Sequence, residues 1–404
     1  MEQNRKTVTI YTIVNDTNLG DNANSRTISE GLSAKYINNN YNVVKEEINV
    51  SNISQDTPNF EDDKVYLVIT AGERNLQHLE NLPKNKNISI IWSGHQFCQK
   101  LKNDCLDNVW VLLPYYVLNA LNKDEEKILK NRIIPTIGVS HDLTKTDIDK
   151  NFNDNKDYFT SILDKAKCII VILAGDAPNE NGEIQFYTTD EARELAKHIK
   201  EKAKEMGCTN VLVTNGPRTG KYNPKTGKEN DNNHKRNKLT GEVTIDEVTR
   251  AFIEGIKDDP TIKYETFNFV FEETSLYKSL IGFAIKKGED VLVYVPGESS
   301  SMIGEAKDFL PGTAFTIYRN NAMNPNHTAH VNSLGNEGFN IIDFNNNDNK
   351  QDDLEIPSNN YQKPTEKLEE SIYNLTSLKD DIPFNNNLIN TQTTEKLERE
   401  LEHK

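Results

Sequence analysis

The segment VPGESSSMIGEA, Val295 to Ala306, carries the densest chemistry of the chain. Pro296-Gly297 turns the backbone, and Glu298, Ser299, Ser300 and Ser301 open a predicted helix that runs on through Met302, Gly304 and Glu305. A helix start offers free amides and the positive end of a dipole, so it suits an anion, and the hydroxyls add donors. Simple capping by one serine, with Glu305 as a capping-box partner, would explain a plain helix start. Three serines in succession behind Pro-Gly bring a phosphate or pyrophosphate site level with that reading. A second turn, Asn215-Gly216-Pro217-Arg218-Thr219-Gly220, presents one arginine between glycines. Its planar fork matches phosphate oxygens bidentately, where the plain alternative is a solvated arginine.

Three further turns hold reactive types. Asn15 to Asn22, with Asp16 and Gly20, lacks the GxGxxG spacing of a dinucleotide fingerprint. Its amides and carboxylates suit a hydroxyl-rich substrate, or else a turn and helix cap. His95 in Ser93-Gly94-His95 and His141 after Ser140 follow strand-like runs, where imidazole can act as a general base or as a hydrogen-bonded structural group. Gly72 ends one strand, and Ala174-Gly175-Asp176 ends another, with Asp176 expected either toward a cleft or capping its own turn. The stretch Lys221 to Lys238 is locally basic, and reads as an exposed loop open to an anionic ligand or partner.

Ligands of open parallel sheets sit at the carboxyl ends of strands, so these turns matter only if strands precede them. Apolar runs of strand length alternate with helical segments, the pattern of βα units. Strands are expected near Thr7–Val14, Val65–Thr70, Ile88–Trp92, Val109–Leu113 and Ile133–Val139, with a helix from about Asn22 to Tyr36. After a polar helix-plus-linker crossing, Ser140 to Lys156, the pattern restarts at Cys168–Leu173. A helix around Thr188–Met206 follows, then strands near Asn210–Thr214, Thr266–Phe271, Asp290–Val295 and Ala314–Tyr318, with another helix from about Thr244. This divides the chain into residues 1–155, 156–344 and a polar tail, 345–404, partly helical over Thr365–Leu375 and Thr393–His403 and otherwise disordered.

Composition narrows the function. The formal charge is −15, which argues against general nucleic-acid or anionic-membrane binding. No apolar run approaches the ~20 residues of a membrane span, and the start does not read as a signal peptide, so a cytoplasmic protein is expected. Cys98, Cys105, Cys168 and Cys208 have no metal-ligand spacing and read as reduced thiols, and no metal site is expected.

Taken in order, these turns resemble the bacterial relatives of the plant "elongated mitochondria" mitochondrial-fission family, themselves similar to glycosyltransferase-B enzymes. The resemblance lies in NDTNLGDNANSRTISEGL, LVITAGERN, RIIPTIGVSHDLT, VILAGD, VLVTNGPRTG and VYVPGESSSMIGEA, spanning about residues 7 to 344. It departs at Ala23 and Asn24, where the family has Asn-Gln, and in the long loop Lys221 to Thr240. The resemblance implies two Rossmann-like α/β domains facing across a cleft, the glycosyltransferase-B type, with the acceptor or partner on the first and a nucleotide on the second. It points to Arg218, Thr219, Ser299, Ser301, Met302, Glu305, Asp16, Gly20 and His141. The leading expectation is a metal-independent glycosyltransferase-like protein whose ligand is a nucleotide-sugar, with no further cofactor. Ser299 to Ser301 and Arg218 would hold the pyrophosphate, Glu305 the ribose, and His141, His95 or Asp16 would deprotonate an acceptor. A non-catalytic interaction protein, docking through residues 221–240 or the tail, and a nucleotide-sugar epimerase are the alternatives.

Overall fold

The structure is a computed structural model. It describes residues 6–15, 19–50, 60–61, 64–80, 82, 87–102, 106, 109–118, 121–129, 132–136, 141, 143–163, 167–179, 183–230, 245–269 and 276–344. Asp16 and the tail with its two helix-like pieces lie outside these residues. The chain divides into two compact units, and the second begins at Leu143.

The first unit holds a parallel sheet ordered β2-β1-β3-β4-β5-β6. Its strands are β1 (Thr7–Val14), β2 (Asn42–Asn49), β3 (Val65–Ala71), β4 (Ile88–Ser93), β5 (Val109–Pro114) and β6 (Ile133–Thr136). Helix α1 (Leu19–Asn38) follows β1, and three short helices, α2 (Glu73–Leu76), α3 (Tyr115–Leu118) and α4 (Lys123–Leu129), occupy later crossovers. Ile28, Leu32 and Tyr36 of α1 pack on Val8, Ile10, Leu67, Ile69 and Ile91 of the sheet. The edge strand β2, NVVKEEIN, was not expected because it is mostly exposed and too polar to read as a core run.

The second unit holds a parallel sheet ordered β11-β10-β7-β12-β13-β14. Its strands are β7 (Cys168–Ile172), β10 (Asn210–Thr214), β11 (Lys263–Phe267), β12 (Val291–Pro296), β13 (Phe315–Tyr318) and β14 (Ile341–Ile342). A small antiparallel pair, β8 (Ala177–Pro178) and β9 (Ile184–Gln185), follows β7. Both faces of this sheet are covered, which is why β7, β10 and β12 read as unbroken apolar runs. Ile170, Ile172 and Val293 face one layer, with Phe159, Phe283 and Ile303. Ile169, Val171 and Val211 face the other, with Leu195, Ile199 and Phe252.

The helices of this unit are α5 (Lys145–Leu163), α6 (Thr189–Met206), α7 (Glu247–Lys257), α8 (Tyr277–Lys287), α9 (Ser300–Phe309) and α10 (Pro325–Asn336). Residues 145–156 of the segment expected as a crossing lie in α5, which belongs to the second unit. Ile148, Phe152 and Phe159 bury one stripe of it in the core. A Cβ at Gly282 of α8 would stand 2.8 Å from the Phe152 Cβ, so the two helices lie in close contact. Ser279 of α8 ties them further, donating to the Asn151 carbonyl at 2.9 Å and accepting from Asn155 at 3.1 Å. β11 begins and ends earlier than expected, and α8 and α10 went unread.

Residues 221–230 are a hairpin rather than an irregular loop: Tyr222 pairs antiparallel with Glu229, and the Gly227 amide donates to the Asn223 carbonyl at 2.8 Å. The rest of the expected basic loop, residues 231–240, lies outside the described residues. Cys98, Cys168 and Cys208 are buried free thiols, and burial pushes Cys98 up to about 11. Among the described residues no helix is long and apolar enough to cross a membrane.

Candidate functional site

In the second sheet the strand order reverses at β7, whose neighbours are β10 and β12. The carboxyl ends of β7 and β12 therefore flank the switch point, the place where such sheets take ligands. Glu298 lies across it, 3% exposed. Its carboxylate accepts from the Gly175 amide at 2.7 Å and from the Asn320 side chain at 2.8 Å, joining the ends of β7, β12 and β13. Burial raises its pKa, and the Gly175 amide, the Arg218 charge and Asn320 offset part of that rise. Glu298 is thus part of the frame of the site.

Helix α9 starts immediately beyond. Ser299 is its N-cap residue, yet the serine side chain makes no capping bond. Thr188, Asp246 and Asn324 do cap α6, α7 and α10 through side-chain oxygens. The plain capping reading of the triple serine is therefore not what the chain adopts. The first turn of α9 keeps amides with no side-chain acceptor, beside buried Ser299, half-buried Ser300 and exposed Ser301. Met302 packs against the apolar core. Glu305 lies beside the buried Tyr277 hydroxyl of α8, whose pKa burial and that carboxylate both raise, so it is engaged within the unit.

The turn after β10 has a rigid base. Asn215, 4% exposed, donates to Asp246 at 3.2 Å, to Thr249 at 2.9 Å and to Asn268 at 2.9 Å, and its oxygen accepts from the Phe269 amide at 2.7 Å. Every hydrogen-bonding group of that amide is thereby turned inward. The fully buried Thr219 hydroxyl accepts from the Gly216 amide at 3.0 Å and donates to the Leu173 carbonyl at 3.5 Å. Arg218 is exposed, and among the described residues its guanidinium has no hydrogen bond or ion pair. The end of β7 presses against it, because a Cβ on Gly175 would come within 2.7 Å of the Arg218 Cβ. Asp176 is buried at 2% exposure, and its carboxylate accepts from the Tyr187 and Tyr222 backbone amides. Burial pushes its pKa up to about 6 against the pull of the Tyr222 and Tyr187 amides.

In the first unit the strand order reverses at β1, beside β3. The Asn15 amide donates to Asn22 Oδ1 and Asn22 donates back to the Asn15 carbonyl, both at 2.7 Å, so the residue after β1 is tied to the first turn of α1. Asn15 also reaches Asn75 at 3.3 Å. Gly72 takes φ +81° at the end of β3, and the Asp21 carboxylate occupies the space a Cβ would need. Asn24 donates to Ser93 at the end of β4, 3.3 Å away. Gly20 opens α1, His95 is exposed beyond β4, and His141 is buried. The polar cluster at the ends of β1, β3 and β4 is therefore built from Asp21, Asn22, Asn24, Asn75 and Ser93.

No protein-family model matches the chain, so the resemblance to the mitochondrial-fission family rests on the quoted turns alone. No curated protein matches it either. Among solved structures it is similar to a glycosyltransferase from Rickettsia africae ESF-5, at 10% identity and a TM-score of 0.40, covering 100% of both chains. It is also similar to WaaG, a glycosyltransferase involved in lipopolysaccharide biosynthesis, at 8% identity and a TM-score of 0.36, covering 92% of this chain and 90% of that one. Two of the groups that build the site were not read from the sequence. Asn320 follows β13 as Asn215 follows β10, and a survey of every strand end would have found it. Asp246 carried only the general signal of an N-cap residue.

Proposed function

We propose that the second unit binds the diphosphate of a nucleotide-sugar and that the protein acts as a glycosyltransferase-like enzyme. The observation that carries this reading is the combination, at the ends of the two strands that flank β7, of an α9 start without a side-chain cap and an Arg218 whose guanidinium has no hydrogen bond or ion pair among the described residues. The amides and hydroxyls of Ser300 and Ser301 would take the phosphate oxygens, and Arg218 would neutralise charge that develops on the leaving diphosphate without a metal. Asn215, Thr219 and Glu298 would hold this geometry from behind, and the ribose would find its partners elsewhere than at Glu305. The Asp21–Asn24 cluster of the first unit would hold a hydroxyl-bearing acceptor.

The test is a thermal-shift panel of uridine, guanosine and adenosine diphosphates against wild type and the double variant Arg218→Ala, Ser301→Ala. At least one diphosphate should raise the wild-type melting temperature, and the variant should lose that rise. Equal shifts in both proteins across the panel would end the phosphate reading.

A further inference from the structure

We infer that Asp176 is the positioning residue for Arg218, holding the backbone on both sides of it; this rests on the phosphate reading above. The Asp176 amide donates to the Arg218 carbonyl at 2.9 Å. Its carboxylate accepts from the Tyr222 amide at 2.9 Å and from the Tyr187 amide at 3.1 Å. Residues 218 to 222 are therefore tied at both ends to one buried residue, at Arg218 through its backbone amide and at Tyr222 through its carboxylate. Tyr222 also opens the hairpin, which closes through the Asn230 amide on the Lys221 carbonyl, 2.8 Å, and the Asn230 side chain on the Gly220 carbonyl, 3.0 Å. Gly220, at φ +57°, lies against Asp246, so the far side of the turn abuts the α7 cap. Arg218 thus projects from a turn clamped between the end of β7 and the start of α7.

Two N–H donors converge on Asp176, which suits an ionised carboxylate, since both its oxygens accept. An amide or a protonated acid presents one acceptor and one donor there, and must release one of the two backbone amides. Charge argues the opposite way. Removing a negative charge beside an anion site strengthens the pull on phosphate. The sign of the effect of Asp176→Asn therefore separates positioning from electrostatics.

The experiment measures inorganic pyrophosphate binding by calorimetry at pH 7.5, on the full chain, for wild type, Arg218→Ala, Asp176→Asn and the double variant. Positioning predicts that Asp176→Asn weakens binding by about tenfold, the scale seen when outer partners of ligating groups are removed. It also predicts that Asp176→Asn adds nothing once Arg218 is gone. Tighter or unchanged binding in Asp176→Asn, or an equal loss in both backgrounds, overturns the role of Asp176 and leaves the phosphate site standing. Arg218→Ala binding like wild type overturns the phosphate site itself.

Should Asp176→Asn fail to fold, sulfate binding by wild type and Arg218→Ala at pH 7.5 and 5.5 settles the question, since sulfate keeps its charge over that range. The charged groups acting on Asp176 are Arg218 and Asp246, and it meets Tyr187 and Tyr222 through their amides. Wild-type binding should weaken several-fold at pH 5.5 while Arg218→Ala stays flat; wild-type binding that tightens or holds overturns the inference.

Discussion

The end of β7 approaches the arginine turn closely at Gly175, and this sets the scale of one substitution. In Gly175→Ala the new methyl would stand 2.7 Å from the Arg218 Cβ, 3.1 Å from the Arg218 carbonyl carbon and 3.3 Å from the Thr219 nitrogen. Ordinary contact starts near 3.4 Å, so the turn must back away by about 0.7 Å. Two of the three atoms are backbone, so a rotamer change cannot relieve the clash. Overpacking of this kind costs about 1–3 kcal/mol, which for a unit of this size lowers the melting temperature by roughly 2–10 °C. Moving Arg218 by such a distance should weaken pyrophosphate binding by about tenfold, within the ~hundredfold that a 1 Å misplacement can cost. Gly216→Ala is the matched control, because its added Cβ meets nothing within 4 Å and its backbone needs no left-handed angle. Calorimetric melting and pyrophosphate titration of the three proteins provide the test. Wild-type stability and affinity in Gly175→Ala, or equal damage in Gly216→Ala, would refute the idea that the end of β7 braces the turn.

Two further outcomes follow from buried groups behind the site. Asp246→Ala removes the α7 cap and one acceptor of the buried Asn215 amide, so it should cost about 2–4 kcal/mol in urea unfolding; a loss under about 1 kcal/mol would mean that the Asn215 hub is redundant. Glu298 has its folded-state pKa raised by burial above the ordinary 4.5, so the folded chain keeps that proton to higher pH than the unfolded one. Its contribution is present below pH 4.5 and is lost as pH rises through the folded value, so Glu298→Gln should flatten the fall of stability above pH 4.5. An unchanged slope in urea titrations would show that Glu298 does not carry this pH dependence.

The strands that carry the site were legible because both faces of the second sheet are covered, which leaves β7, β10 and β12 as unbroken apolar runs. Strand β2 hid for the converse reason, since an exposed edge needs no apolar residues. Arg218 and the serines stood out because Pro-Gly and Gly-flanked turns after an apolar run mark strand ends. Their neighbours' roles did not. Asn215, Asp176 and Glu305 have the types that bind ligands, yet the structure turns each toward other protein groups. Nothing local distinguishes an inward amide from an outward one.

By itself, then, the order of residues determined the alternation of strands and helices, the turns that end them and the residue types at those turns, because these follow from backbone preferences and burial period within a few positions. Only the tertiary structure decided that β7 lies between β10 and β12, that Glu298 reaches across to Gly175, and that Asp176 holds the turn bearing Arg218. Those contacts join segments far apart in the chain. Sheet order brings them together, and the desolvation that raises the Asp176 and Glu298 pKa values exists only once the layers have packed around them.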